Sequence, residues 1–153
     1  MEQRESLLLW NLKKVNLEME SVINGLLEDL GLTASQGAIL IYVLQHQETA
    51  ICSAEIHRNF GIARPTVSSL LKKLRQKGYI QFENCSHDDR QKMILATPKG
   101  AGVKAALDFR IRSMEQELLR DVTDEEERKM FECFKKLERN LRTYKISKRP
   151  SRL

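Results

Sequence analysis

Two adjacent hydroxyls, Ser68 and Ser69, are followed one helical turn later by two lysines, Lys72 and Lys73. Pro65 lies a turn before them and Gln76 a turn beyond. Residues three and four apart share a helix face, so these six positions form one polar surface. Short hydroxyls let a helix approach base edges closely, and lysines further along neutralise phosphates. Arg64 and Thr66 flank Pro65 at the start of the same helix. The chemistry on offer is recognition of a polyanion. Taken alone, the same residues also fit a solvated amphipathic helix that happens to be basic.

Bond-making chemistry has no comparable grouping. No His/Asp/Ser constellation, phosphate-cradling glycine loop or paired acids stand out. His46, His57 and His87 lack i,i+4 partners, and Cys52, Cys85 and Cys133 are widely spaced without a C-x-x-C. Neither a metal site nor a disulfide framework is expected. No catalytic residue and no cofactor are expected.

The polar face must be positioned by neighbouring elements. Ser53–Phe60 reads as a short helix closed by Gly61, and Arg64–Lys77 as a second helix closed by Gly78. Val67, Leu70, Leu71 and Leu74 give the second helix an apolar stripe opposite its polar face. Pro65 suits a first turn, where its missing N–H would have no helical partner. Two helices joined by a tight glycine-containing turn form a helix-turn-helix. An alternating strand Tyr79–Glu83, a polar loop Cys85–Gln91 and an apolar return Met93–Ala96 follow at once. The expected fold is mainly α with a small β component, a winged helix-turn-helix. From Ser53 to Lys104 there are ten Lys/Arg against four Asp/Glu, in a chain whose net charge is only +5. Concentrated positive charge of this kind marks nucleic-acid binding.

From Leu32 to Gly100 the chain resembles the MarR family of bacterial transcription regulators. The matching pieces are Gly31-Leu-Thr-Ala-Ser-Gln36, Pro65-Thr-Val67, Lys77-Gly78, Asp88-Asp89-Arg90 with Thr97 seven residues on, and Lys99-Gly100. The resemblance implies that Arg90 reaches a DNA minor groove and that Asp88 helps hold the wing. Ala96 departs from the family's usual Leu before the Thr, which weakens a core contact at the wing base. The expected DNA surface is therefore Arg64, Pro65, Thr66, Ser68, Ser69, Lys72 and Lys73 on the reader helix, with His87, Asp88, Arg90 and Lys92 on the wing.

Around this centre, residues 7–30 read as one long helix with Leu8, Leu12, Val15, Met19, Val22, Leu26 and Leu30 on a seam close to a heptad. Gly31 ends it, and Thr33 with Gln36 forms a capping box for an apolar helix from Ala34 to about His46. Thr49–Cys52 leans toward a third strand. Behind Thr97-Pro98 one helix is expected to carry Val103, Leu107, Ile111, Met114, Leu118 and Val122, and Thr123 with Glu126 opens a last helix with its seam at Met130, Phe134, Leu137, Leu141 and Tyr144. These seams exceed what a reader of this size can cover, so a two-fold homodimer is expected. Residues 1–31 and 101–146 are then dimerisation helices, 32–100 the winged helix-turn-helix, and 147–153 a basic tail.

A chain of 153 residues is one ordinary domain. Its longest apolar run, Ala38–Leu44, is too short to span a bilayer, and its start lacks a signal-peptide pattern. No membrane partner is expected, and the cytoplasm is the expected compartment. The leading functional expectation is a repressor that binds a pseudo-palindromic operator in duplex DNA, with half-sites about 10 bp apart. The resemblance implies release by a small aromatic or phenolic effector held between the dimer helices and the reader. Trp10, Tyr42, His46 and Phe109 are its candidate lining, with core packing as the competing role for each. The alternatives are an architectural DNA-binding protein, a module for an acidic protein partner, and a thiol regulator sensing through Cys85.

Overall fold

The computed structural model of the chain describes the backbone of residues 2–49, 51–85 and 88–147 and the side chains of 7–49, 51–84 and 92–145. It forms two compact units, Met1–Ile111 and Arg112–Leu153. In the first, α1 (Glu2–Leu26) starts earlier and stops earlier than the heptad rhythm implies. Leu27 breaks it, and Glu28–Leu30 tighten into a 3-10 turn closed by Gly31 at φ 62°. Leu27, next to the seam residue Leu26, is completely buried. Glycine at 37 leaves room for it, since a Cβ there would meet Leu27 Cδ1 at 2.5 Å.

The expected capping box opens α2 (Ala34–Gln45): Thr33 Oγ1 accepts from the Gln36 N–H, and Gln36 Oε1 from the Thr33 N–H, both at 3.3 Å. Ile39, Leu40, Val43 and Leu44 bury this helix at the middle of the core. Packed with it are Ile56 from α3 (Ser53–Phe60) and Val67, Leu71 and Leu74 from α4 (Arg64–Gln76). Gly61 takes φ 64° in the turn between α3 and α4, a conformation that favours glycine.

The wing is an antiparallel hairpin of β1 (Ile80–Cys85) and β2 (Asp88–Ala96). Its strands run further than expected, so Cys85 and Asp88–Gln91 of the supposed polar loop belong to strands, with Cys85 and Asp88 paired across the ladder. Ile80 pairs with Ala96 and Phe82 with Ile94, which sets these four on the core side; the register shifts between Asn84 and Cys85. The described residues of the expected third strand, Thr49, Ile51 and Cys52, do not form one. Ile51 forms a single bridge to Ile94, and the next N–H, that of Cys52, donates instead to the Glu55 carboxylate at 2.8 Å, capping α3. One residue cannot serve both ladder and cap.

The single helix expected after Thr97 is divided. Thr97 caps α5 (Pro98–Gly102), Val103 interrupts, and α6 (Lys104–Leu118) ends before Val122, which lies in the connection. Gly100 and Gly102 weaken helical continuity. Gly100 is also a close approach: a Cβ there would sit 2.2 Å from the Tyr79 carbonyl oxygen. In α6, Arg110 donates to the Leu26 carbonyl at 2.6 Å and forks onto both oxygens of Asp29, thereby capping the end of α1. The guanidinium's hydrogen bond holds the Asp29 carboxyl below its ordinary pKa.

In the second unit, α7 (Asp124–Ser147) opens on the expected capping box, with the Thr123 N–H and hydroxyl both donating to Glu126. Those bonds lower the Glu126 pKa. Met130, Phe134, Leu137, Leu141 and Tyr144 are all exposed, as are Leu8, Leu12, Val15 and Val22 on α1. No helix among the described residues is long and apolar enough to cross a membrane.

Candidate nucleic-acid interface

The amphipathic reading of α4 is realised. Val67, Leu71 and Leu74 are buried and Leu70 is half-buried, while Arg64, Pro65, Thr66, Ser68, Ser69, Lys72, Lys73 and Gln76 are exposed. The helix starts at Ala63 without a side-chain cap, and Pro65 lies in its first turn. Its first N–H groups are therefore open to an external acceptor.

Beside α4 the wing forms the other wall of a cleft of about 530 Å³. Ser68, Lys72 and Arg75 line it from α4, Phe82 and Lys92 from the wing, and Cys52 and Ser53 from the start of α3. The Arg75 guanidinium lies over the Phe82 ring, 5.5 Å from its centroid. No described carboxylate forms an ion pair with Lys72, Arg75 or Lys92, whereas Lys104, Arg110, Lys129 and Arg142 each have one. Arg75 and Ser53 line this cleft, although nothing in the sequence singles them out. Arg75 sits at the edge of the α4 face, and only the packed wing brings it into a cleft.

Two other cations of this region have different work. Lys77 Nζ donates to the Gly31 carbonyl and, at 2.7 Å, to Gln36 Oε1. Lys99 Nζ donates to the Lys77 carbonyl at 2.6 Å and lies 4.5 Å from the centroid of the Tyr79 ring. The Tyr79 hydroxyl donates to the Leu30 carbonyl at 2.7 Å, and burial, with the nearby Asp29 charge, raises its pKa. Thr97 Oγ1 donates to the Gly78 carbonyl at 2.5 Å. These bonds fasten the end of α4 and the root of the wing to the α1–α2 connection. Ala96, smaller than the expected Leu, is half-buried against the core here.

Lys92 pairs with Asn84 in the ladder and faces the cleft. The side chains of Asp88 and Arg90, all of His87, the Cys85 thiol and residues 148–153 of the basic tail lie outside the described residues. Of the candidate effector lining, Tyr42 and His46 meet, with ring centroids 4.3 Å apart. Tyr42 also packs edge-on against Phe60 of α3. Trp10 and Phe109 are each 72% exposed. No group of His, Cys, Asp and Glu among the described residues could hold a metal ion.

The model of the MarR family matches residues 30–91, which include α2, α3, α4 and much of the wing. An uncharacterized HTH-type transcriptional regulator, YwoH of Bacillus subtilis (strain 168), is 28% identical over 112 residues, 73% of this chain and 80% of that protein. An uncharacterized HTH-type transcriptional regulator of Staphylococcus aureus (strain Mu50 / ATCC 700699) is 36% identical over 75 residues, 49% of this chain and half of that protein's length. Among solved structures, the S. aureus MepR–DNA complex superposes with a TM-score of 0.81 at 27% identity, covering 86% of this chain and 96% of MepR. The transcriptional regulator SlyA shares the fold with a TM-score of 0.83 at 20% identity, covering 92% and 99% of the two chains.

Proposed function

Because this chain belongs to the MarR family of winged-helix transcription regulators, and not to a family of enzymes, we propose that it binds duplex DNA as a homodimer on a pseudo-palindromic operator. It acts there as a repressor released by a small-molecule effector. The observation that carries the reading is the face of α4, where hydroxyls and lysines stand exposed beside a hairpin wing. The α4 N-terminal half enters the major groove, with Arg64, Pro65, Thr66, Ser68 and Ser69 nearest the bases and Lys72 and Lys73 toward phosphates. His87, Asp88, Arg90 and Lys92 place the wing in the neighbouring minor groove. The exposed apolar seams of α1 and α7 support a second copy as their cover.

The effector pocket is proposed around Trp10, Tyr42, His46 and Phe109. Tyr42 joins such a pocket to the reader, because its hydroxyl accepts a hydrogen bond from Asn59 of α3 while its ring meets Phe60. An aromatic ligand displacing these rings shifts α3, and α4 with it.

Selection of binding sites from random duplexes, followed by footprinting, tests the reading. The expected product is an inverted repeat with half-sites about one helical turn apart. A Ser68→Ala/Ser69→Ala variant should lose about 1–3 kcal/mol per base contact on that repeat while binding random DNA as before. No enriched sequence, with binding to all duplexes alike, refutes operator recognition.

A further inference from the structure

Arg110 lies on α6 just before the second unit begins at Arg112. We propose that it is a positioning residue for DNA recognition: its clasp on Leu26 and Asp29 fixes the direction in which α6 leaves the winged helix, and thereby the half-site spacing that the dimer accepts. The inference rests on the reading of the chain as an operator-binding homodimer, and adds to it a determinant of spacing that touches no DNA.

The backbone leaves the direction of α6 open. Gly102 ends α5, a Cβ there would meet nothing within 4 Å, and Val103 interrupts the helix before α6 starts at Lys104. A helix break beside a glycine resists bending weakly. Leu107 of α6 is buried in the core, but an apolar contact is non-directional and holds position without dictating angle. Arg110 follows three residues on, on the same face, and supplies the missing direction. Its guanidinium donates to the Leu26 carbonyl at 2.6 Å and forks onto both oxygens of Asp29. A planar fork on a carboxylate tolerates little rotation.

The target of the clasp moves with the reader. Residues 27–31 are fastened by the Tyr79 hydroxyl on the Leu30 carbonyl, by Lys77 Nζ on the Gly31 carbonyl, and by Leu27, buried beside Gly37. Lys77 ends α4 and Tyr79 precedes β1. Arg110 therefore ties α6 to the same turn that holds the reader helix and the wing root. α6 is 15 residues long. At about 1.5 Å per residue, a swing of about 10° moves its far end by roughly 4 Å, close to the ~3.4 Å between successive base pairs. In a two-fold dimer both halves swing, so loss of the clasp blurs the spacing between the two readers.

The selected inverted repeat is rebuilt with its centre lengthened or shortened by single base pairs, and affinities are measured by fluorescence anisotropy. Wild type should prefer the selected spacing about 5–20-fold, within the range of coupling between separate sites, and Arg110→Gln and Asp29→Asn should each reduce that preference to below about threefold. Asp29 is exposed, so its substitution leaves the core packing in place. Arg110→Lys, which keeps the charge and loses the fork, should flatten the preference likewise. Random-duplex affinity and its salt slope should stay as in wild type for all three. A spacing preference as steep as wild type's in any of them overturns the proposal and leaves the clasp as a helix cap. Equal losses on operator and random duplex, or sedimentation as a monomer, overturn it in favour of general destabilisation. If wild type itself binds every spacing alike, the reading of two fixed half-sites fails and the proposal falls with it.

Discussion

Lys72 and Lys77 stand five residues apart near the end of one helix, and substitution should separate them completely. Lys77→Met keeps the aliphatic stem and removes the ammonium that bonds Gly31 and Gln36. A hydrogen bond from a charged donor contributes about 1.5–3 kcal/mol when well buried. Here the Gly31 acceptor is exposed, and Gln36 Oε1 keeps its bond from the Thr33 N–H. The expected loss is therefore smaller, about 1–2 kcal/mol. With a urea m value of about 2–3 kcal/mol/M for a domain of this size, the midpoint should fall by roughly 0.5 M. Lys72→Met removes an exposed ammonium without a described partner, so stability should stay within about 0.5 kcal/mol. Its DNA affinity should instead lose about 0.9 from the salt slope. Urea unfolding at fixed protein concentration and fluorescence anisotropy at several salt concentrations read the two effects apart. A Lys77→Met protein of wild-type stability with a reduced salt slope would falsify the assignment of this lysine to the wing root.

Two further outcomes follow from the same geometry. Gly100→Ala places a methyl 2.2 Å from a backbone oxygen that also accepts the Thr97 N–H at 3.1 Å; unfolding free energy should fall by about 1–3 kcal/mol, and a variant as stable as wild type in urea rejects the close approach. Arg110→Gln should raise the titration midpoint of Asp29, followed by carboxyl NMR, into the ordinary carboxylate range. Because the folded pKa of Asp29 is depressed, the stability it adds is fully present above the unfolded value of about 3.9 and is lost as pH falls through the lower folded value. The stability gap between wild type and variant should therefore narrow in strong acid, leaving the part due to the Leu26 carbonyl bond, and an unmoved Asp29 midpoint would contradict the clasp.

What the sequence alone determined is what depends on short spacings. The capping boxes at Thr33 and Thr123, the turn at Gly61, the polar face of α4 and the Pro65 start are all local. Each involves residues at most four apart, so a linear reading suffices. What only the tertiary structure decided involves residues brought together from far along the chain. Leu27 only adjoins the seam residue Leu26, yet it is buried in the core beside Gly37, and α1 ends just before it. Ile51 meets Ile94 of the wing in a single bridge, while the Cys52 N–H is claimed locally by Glu55 and leaves the ladder there. The cations of residues 53–104 look alike in sequence because charge has no local signature of use. Lys77 and Lys99 became fasteners because carbonyls of Gly31 and Lys77 lie within reach of their ammonium groups. Arg75 lines the cleft because the wing, with Phe82 under its guanidinium, packs beside α4. Burial and partner geometry separate these roles, and both exist only after the wing has packed against α4.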